Sequence, residues 1–179
     1  VPIGIHGLSA QASRYALQQR PTSDIPTHQS RGDFGWLAGT SHTPSSVWPV
    51  ISEWLAHNSQ WQFESWRVDI VAARITNWIS AFDHISPHID PVDQQLWATS
   101  IRRQAKHLQR IASSGIHPWQ KLIVHQARIN SALAMPEFEA ALPGHLTSLG
   151  LDVDQQILSD GGHIERSPIR ALAVLAILG

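Results

Sequence analysis

A base, an acid and a cation stand within four positions of one turn: His163, Glu165 and Arg166 follow Asp160-Gly161-Gly162 in ILSDGGHIERSP. Histidine and glutamate can move protons in a transition state, and an arginine fork grips a carboxylate or sulfate through two parallel hydrogen bonds. Glycine tolerates the positive φ that ends a helix and aspartate can bond its own backbone, so Asp160–Gly162 is expected to turn the chain. Ser167-Pro168 then supplies an N-cap and a first helical residue. The three chemical side chains therefore stand just before a helix N-terminus, where free N–H groups and the helix dipole favour an anion. The same residues equally suit scaffolding: Glu165 and Arg166 can pair with neighbouring helices, and His163 can donate to a carbonyl.

Other constellations carry less. His84 and His88 are four apart with Asp83 and Asp90 beside them, a spacing that binds metal on a helix. Pro87 and Pro91 make that stretch a loop, so no metal site is expected. His117, His125 and His163 are candidates to meet in a groove. Of the eight Trp, Trp54, Trp78 and Trp97 lie on or near apolar stripes and are expected in the core. Trp36, Trp61, Trp66 and Trp119 lie in loops or near helix starts, where a flat ring can stack on a sugar. No phosphate-binding Gly-rich motif and no Gly-x-Ser-x-Gly elbow is present, so neither a nucleotide nor a serine nucleophile is expected, nor any cofactor.

Composition narrows the partners. Thirteen Lys and Arg face fourteen Asp and Glu, for a net charge of −1, which argues against nucleic acid as a partner. The cations comprise eleven Arg and two Lys, which reflects either base composition or the bidentate grip of Arg on acidic groups. The absence of Cys excludes disulfides, zinc-thiolate sites and a thiol nucleophile. No apolar run approaches the roughly 20 residues that span a bilayer. The opening VPIGIHGLSA has no basic region before an apolar one and does not read as a signal peptide; the compartment is left open. The last residues, ALAVLAILG, read as helix up to the end, so flanking segments are expected on both sides.

Positioning falls to helices. Residues 1–45, rich in Gly, Pro, Ser and Thr, read as an extended or looped segment, and residues 46–179 as a helical domain. An Arg-Gly-Asp triplet at 31–33 is too short to carry a function. Helices are expected over SSVWPVISEWLAHN, ESWRVDIVAARITNWISAF, DPVDQQLWATSIRRQAKHLQRIASS, HPWQKLIVHQARINSALAM, PEFEAALPGHLTSLGLDVDQQIL and IRALAVLAIL. In the second, Val68, Val71, Ile75, Trp78, Ile79 and Phe82 form one stripe. The third is capped by Asp90 and Pro91, with a stripe of Val92, Leu96, Ile101, Ala105, Leu108 and Ile111. Leu122, Ile129 and Leu133 face inward in the fourth. The fifth carries Leu142, Leu146, Leu149, Val153 and Ile157, with Pro143 and Gly150 as places where it can kink or split. Short links favour antiparallel hairpins, and several helices apolar on more than one face suit an array or ring. The fold class is all-α.

The wording of the turn points further. QILSDGGHIERSP closely resembles a signature of the heparinase II/III-like family, bacterial lyases of acidic polysaccharides. In that family Gln-Ile-Leu-x-Asp-Gly-Gly-His-x-Glu-Arg-Ser-Pro joins two helices of an incomplete (α/α) toroid. SWRVDIVAARITNWISAF is similar to the family's Trp…Arg-Ile-x-Asn-Trp helix through Trp66, Arg74, Asn77 and Trp78. IRRQAKHLQR resembles its Gln-x-x-x-Leu helix, and RGDFGWLAG the Gly-Asp…Gly stretch ahead of the toroid. The resemblance implies a truncated toroid whose C-terminal β-sandwich domain belongs to the same chain. It also implies β-elimination on a uronate-containing, sulfated or unsulfated, polysaccharide. That reaction removes the C5 proton beside the carboxylate while the glycosidic oxygen leaves C4. A group must neutralise the carboxylate, a base must take the proton and an acid must serve the leaving oxygen.

The resemblance implies substrate contacts at Arg74, Asn77, Trp78, His163, Glu165, Arg166 and Arg170, and His125 as the catalytic base. Two positions depart from the family pattern. Val124 stands where its carboxylate-binding Asn belongs, and Arg170 stands where its Tyr acid belongs. An arginine clamps a carboxylate but is a poor acid, because a guanidinium does not give up its proton in proteins. The alternative reading is accordingly a relative that binds acidic glycans and has lost the chemistry.

Overall fold

A computed structural model describes residues 32–38, 42–58, 60–111 and 115–178. Most of the expected N-terminal segment 1–45 lies outside them. Among the described residues six α-helices follow one another: α1 Pro44–His57, α2 Val68–Ile85, α3 Pro91–Arg110, α4 Pro118–Ala134, α5 Leu142–Gln156 and α6 Pro168–Leu178. Short 3-10 turns cover Gly35–Ala38, Ser86–His88 and Pro136–Ala141. Among the described residues there is no strand, only an isolated antiparallel bridge between Ile157 and His163. The protein is all-α.

The helix starts follow their local chemistry. The Asp90 side chain accepts from the Val92 N–H at 2.8 Å, with Pro91 at the first helical position. His117 and Gln120 form a capping box at α4. α1 begins two residues earlier than expected, with Thr43 at the N-cap and both serines inside the first turn. The fifth expected helix is split, but at its start: Pro136–Ala141 is 3-10 and α5 begins at Leu142, with Pro143 in the first turn. Gly150 interrupts nothing.

The α2 stripe packs as its spacing requires: Val71, Ile75, Trp78, Ile79 and Phe82 are buried and Val68 lies against the core. On α3 the buried face is Trp97, Ala98, Ile101, Ala105 and Leu108. Val92 and Leu96, expected inside, are exposed, because Trp97 claims the interior at that end and turns its neighbours outward. Leu133 on α4 and Leu146 on α5 are likewise exposed. The best-packed pair is α2 with α4, the next helix but one; such contacts arise where helical hairpins stack side by side.

A chain of aromatic rings fills the centre. Trp78 meets Trp54 at 5.2 Å, Phe34 at 5.1 Å and Trp97 at 6.2 Å, each near edge-to-face. Phe34 comes from the Gly32–Ala38 stretch, which is not extended: it turns with Phe34 at φ 57° and buries that ring. The Gly35 N–H donates to Asp33 Oδ1, Arg74 Nη1 donates to the Gly32 carbonyl and Asn77 Nδ2 to the Asp33 carbonyl. Those bonds hold a conformation that costs a non-glycine residue about 1–2 kcal/mol.

Candidate functional site

The turn after α5 is built around a buried histidine. His163 is only 2% exposed. Its Nδ1 accepts from the Glu165 N–H at 3.1 Å, so the ring proton sits on Nε2, which donates to Gln156 Oε1 at 3.3 Å. Gln156 Nε2 in turn donates to the Pro118 carbonyl at 2.8 Å. One ring thereby ties the turn to α5 and to the first turn of α4. The backbone closes around it: Leu158 N–H donates to the Gly162 carbonyl, Ile164 N–H to Gln156 and Arg166 N–H to His163.

Asp160 and Arg166 clasp the outside of the same turn at 2.6 Å, and Asp160 also accepts from the Gly162 N–H. The Arg166 guanidinium, then the Gly162 N–H, hold the Asp160 carboxyl below its usual range. Gly161 takes φ 79° and Arg166 φ 52°. At Gly162 a Cβ would fall 3.1 Å from Asp160 Oδ1 and 3.4 Å from Arg166 Nη1, so glycine leaves the clasp room.

Arg74 and Trp78 are fully buried. The Arg74 guanidinium lies 4.1 Å over the Trp54 ring and donates to Gln104 Oε1, Gly32 and Ser65. Burial pushes its pKa down to about 9 against the pull of Asp33, which leaves it charged at neutral pH. Its donors are directed inward, and Asn77 is engaged with Asp33. These three organise the core around the 32–38 stretch, and in this arrangement a sugar touches neither Arg74 nor Trp78.

A polar seam runs between the antiparallel helices α4 and α5. Asp152 takes His125 Nε2 at 2.8 Å and Lys121 Nζ at 3.4 Å. His125 is buried, and its Nδ1 has no hydrogen-bond partner. Further along, His145 has a buried, unpartnered Nε2. Burial first, then the charges of Arg128 and His125, lower the His145 pKa. Arg128 donates to the Leu108 and Ile111 carbonyls, closing the C-terminal end of α3. Val124 lies in the core at 1% exposure. The position expected to carry a carboxylate-binding Asn is thus an interior one here.

The turn leaves one chemically equipped face toward solvent. Arg170, on the first turn of α6, lies 4.2 Å over the Trp119 ring and 3.6 Å from Glu165 Oε2. His117 Nδ1 lies 3.9 Å from Glu165 Oε1, and its ring stands 6.3 Å from that of Trp119. One carboxylate therefore joins a guanidinium and an imidazole beside an indole. Of the sequence candidates, this face gathers Glu165 and Arg170, with Arg166 exposed nearby on the turn; His125 and His163 are interior and do not meet His117 in a groove. Trp119 and His117 were legible only as a ring and a base near a helix start. Nothing local announced that α4 would begin beside Glu165.

Among the described residues no group of three His, Cys, Asp or Glu is arranged to hold a metal; His84 and His88 are exposed, with ring centroids 6.5 Å apart. No helix among them is long and apolar enough to cross a membrane. The family model described as "Heparinase II/III N-terminus" matches residues 43–178. No curated protein and no solved structure matches the chain.

Proposed function

The chain belongs to the heparinase II/III N-terminus family, and from that premise we propose that it serves a polysaccharide lyase acting on an acidic, uronate-containing chain. The face formed by His117, Trp119, Glu165 and Arg170 is its contact with the substrate. The carrying observation is that Arg170 and His117 are held on the two oxygens of one carboxylate, with Trp119 under the guanidinium.

That grouping supplies what β-elimination needs. Arg170 pairs with the uronate carboxylate and withdraws its charge, which makes the C5 proton easier to remove. His117, exposed at the start of α4, takes that proton. The C5–H electrons form the C4–C5 double bond, the C4–O bond breaks and the departing oxygen collects a proton from the His117 imidazolium or from water. Glu165 orients both groups, and Trp119 holds the guanidinium flat. His125, first choice as base on resemblance, is closed off by Asp152 and packing, and His117 takes that role. His163 and Arg166 build and brace the turn.

The test is ultraviolet absorbance of unsaturated uronate ends, with the full-length protein incubated with heparan sulfate, heparin, alginate and chondroitin. The proposal expects a rise on at least one polymer that His117→Ala and Arg170→Ala both abolish. A rise unaffected by either substitution refutes the site. A second reading, a glycan-binding relative without catalysis, draws on the interior positions of Val124 and His125. It expects no rise, with polymer binding that Arg170→Ala weakens.

A further inference from the structure

The helix α3 presents a cationic ridge. Arg103, Lys106 and Arg110 are all exposed and fall at i, i+3 and i+7, on one face over about 10 Å of helix. Arg102, beside them, is already paired with Glu137. Glu137 also feels Lys106, yet among the described residues neither Lys106 nor Arg110 has a carboxylate within ion-pair distance. The charges crowd one another: besides burial, Arg110 lowers the pKa of His107 on the same helix.

The segment between α1 and α2 lies against this ridge. Its Trp66 is buried, with Arg103 5.1 Å over the ring and His107 edge-on at 5.2 Å. The segment is fixed by Trp66 N–H to the Gln62 carbonyl, Trp66 Nε1 to Gln60 and Gln62 Nε2 to His57. Held in this way, it turns Trp61 and Phe63 to solvent at 61% and 68% exposure. Neither ring belongs to the core among the described residues.

We propose that Lys106 and Arg110, with Trp61 and Phe63, form a second binding surface for an anionic polysaccharide. The cations take carboxylates or sulfates along the polymer, and the rings stack on the apolar faces of its sugars. Glu64, the only acid of the segment, biases against fully sulfated stretches. Nucleic acid offers anions and stacking faces too, but a chain of net charge −1 with three cations on the ridge lacks the basic excess such binding requires. The polymer class rests on the proposed function above, while the surface shares no residue with the Arg170 face.

The experiment is a salt titration of fluorescent heparin and alginate binding to the full chain. Lys106→Ala/Arg110→Ala is expected to reduce the slope of log affinity against log salt by about two, because two fewer counterions are exchanged. Trp61→Ala/Phe63→Ala is expected to weaken binding about tenfold and leave the slope alone. All four side chains are exposed, and circular dichroism checks that the variants fold. Binding unchanged in both variants overturns the proposal. So does tighter binding of single-stranded oligothymidylate than of either polysaccharide, lost in the same variants. Complete loss of polymer binding in Trp119→Ala/Arg170→Ala overturns it as well. Retained ridge binding with no cleavage of any polymer supports the surface and refutes the proposed reaction alone.

Discussion

His163→Ala separates a structural turn from a substrate-binding one. The ring is 2% exposed, so its removal forfeits packing worth about 2 kcal/mol. It also strands the Glu165 N–H and Gln156 Oε1, at about 1 kcal/mol for each unsatisfied group. The sum, about 4 kcal/mol, is a large part of the stability of an ordinary domain. At roughly 3 °C per kcal/mol for a chain of this size, the melting temperature should fall by about 12 °C. Differential scanning calorimetry measures it. Amide exchange should localise the damage, with Ile164 and Glu165 losing protection before the α2–α4 core. A variant that melts with the wild type yet no longer binds acidic polysaccharide would refute the reasoning, since His163 would then be a ligand contact.

Val124→Asn, which restores the family's residue, should not restore a carboxylate clamp. It places an amide in the core and should cost about 2–4 kcal/mol, read as a lower urea midpoint at unchanged slope. Acid should destabilise the protein before carboxylates titrate. His107 and His145 have folded pKa values below 6.5, so the unfolded chain binds more protons in the window beneath 6.5 and stability falls as pH drops through it. Melting curves between pH 7.5 and 5.5 should show the decline, and His145→Gln should flatten it. At still lower pH, protonation of Asp160, whose folded pKa lies below 3.8, should release Arg166. Its stabilising effect is complete only above 3.8 and fades as pH falls through the folded value; Asp160→Asn should abolish that last step in the titration of the turn.

Much of the fold could be read from periodicity and punctuation. The Asp90-Pro91 and Ser167-Pro168 starts and the α2 stripe rest on interactions within a few residues, and they fall as their spacing requires. Val92 and Leu96 did not, because a single Trp97 outweighs two aliphatic side chains in deciding which face goes inward. The turn was legible as a turn, but its roles were not. Whether His163 faces solvent depends on Gln156 and Pro118, one packed helix away. The exposed face joins residues 117 and 119 to 165 and 170, a meeting that tertiary packing alone arranges. Arg74 and Trp78 illustrate the converse: residues of ligand-binding type, they are consumed by the interior.

The placement of Phe34 means that ancestry and folding draw different borders on this chain. The family match begins at residue 43, yet the ring wedged between Trp54 and Trp78, and the carbonyls that quench Arg74 and Asn77, come from residues 32–34. A fragment cut at the homology border would open an indole-lined slot and take one acceptor each from buried Arg74 and half-buried Asn77. Such a fragment invites self-association through the slot. The smallest autonomous piece therefore has to include Gly32 to Phe34, and the plug it carries is as much a part of the interior as any helix.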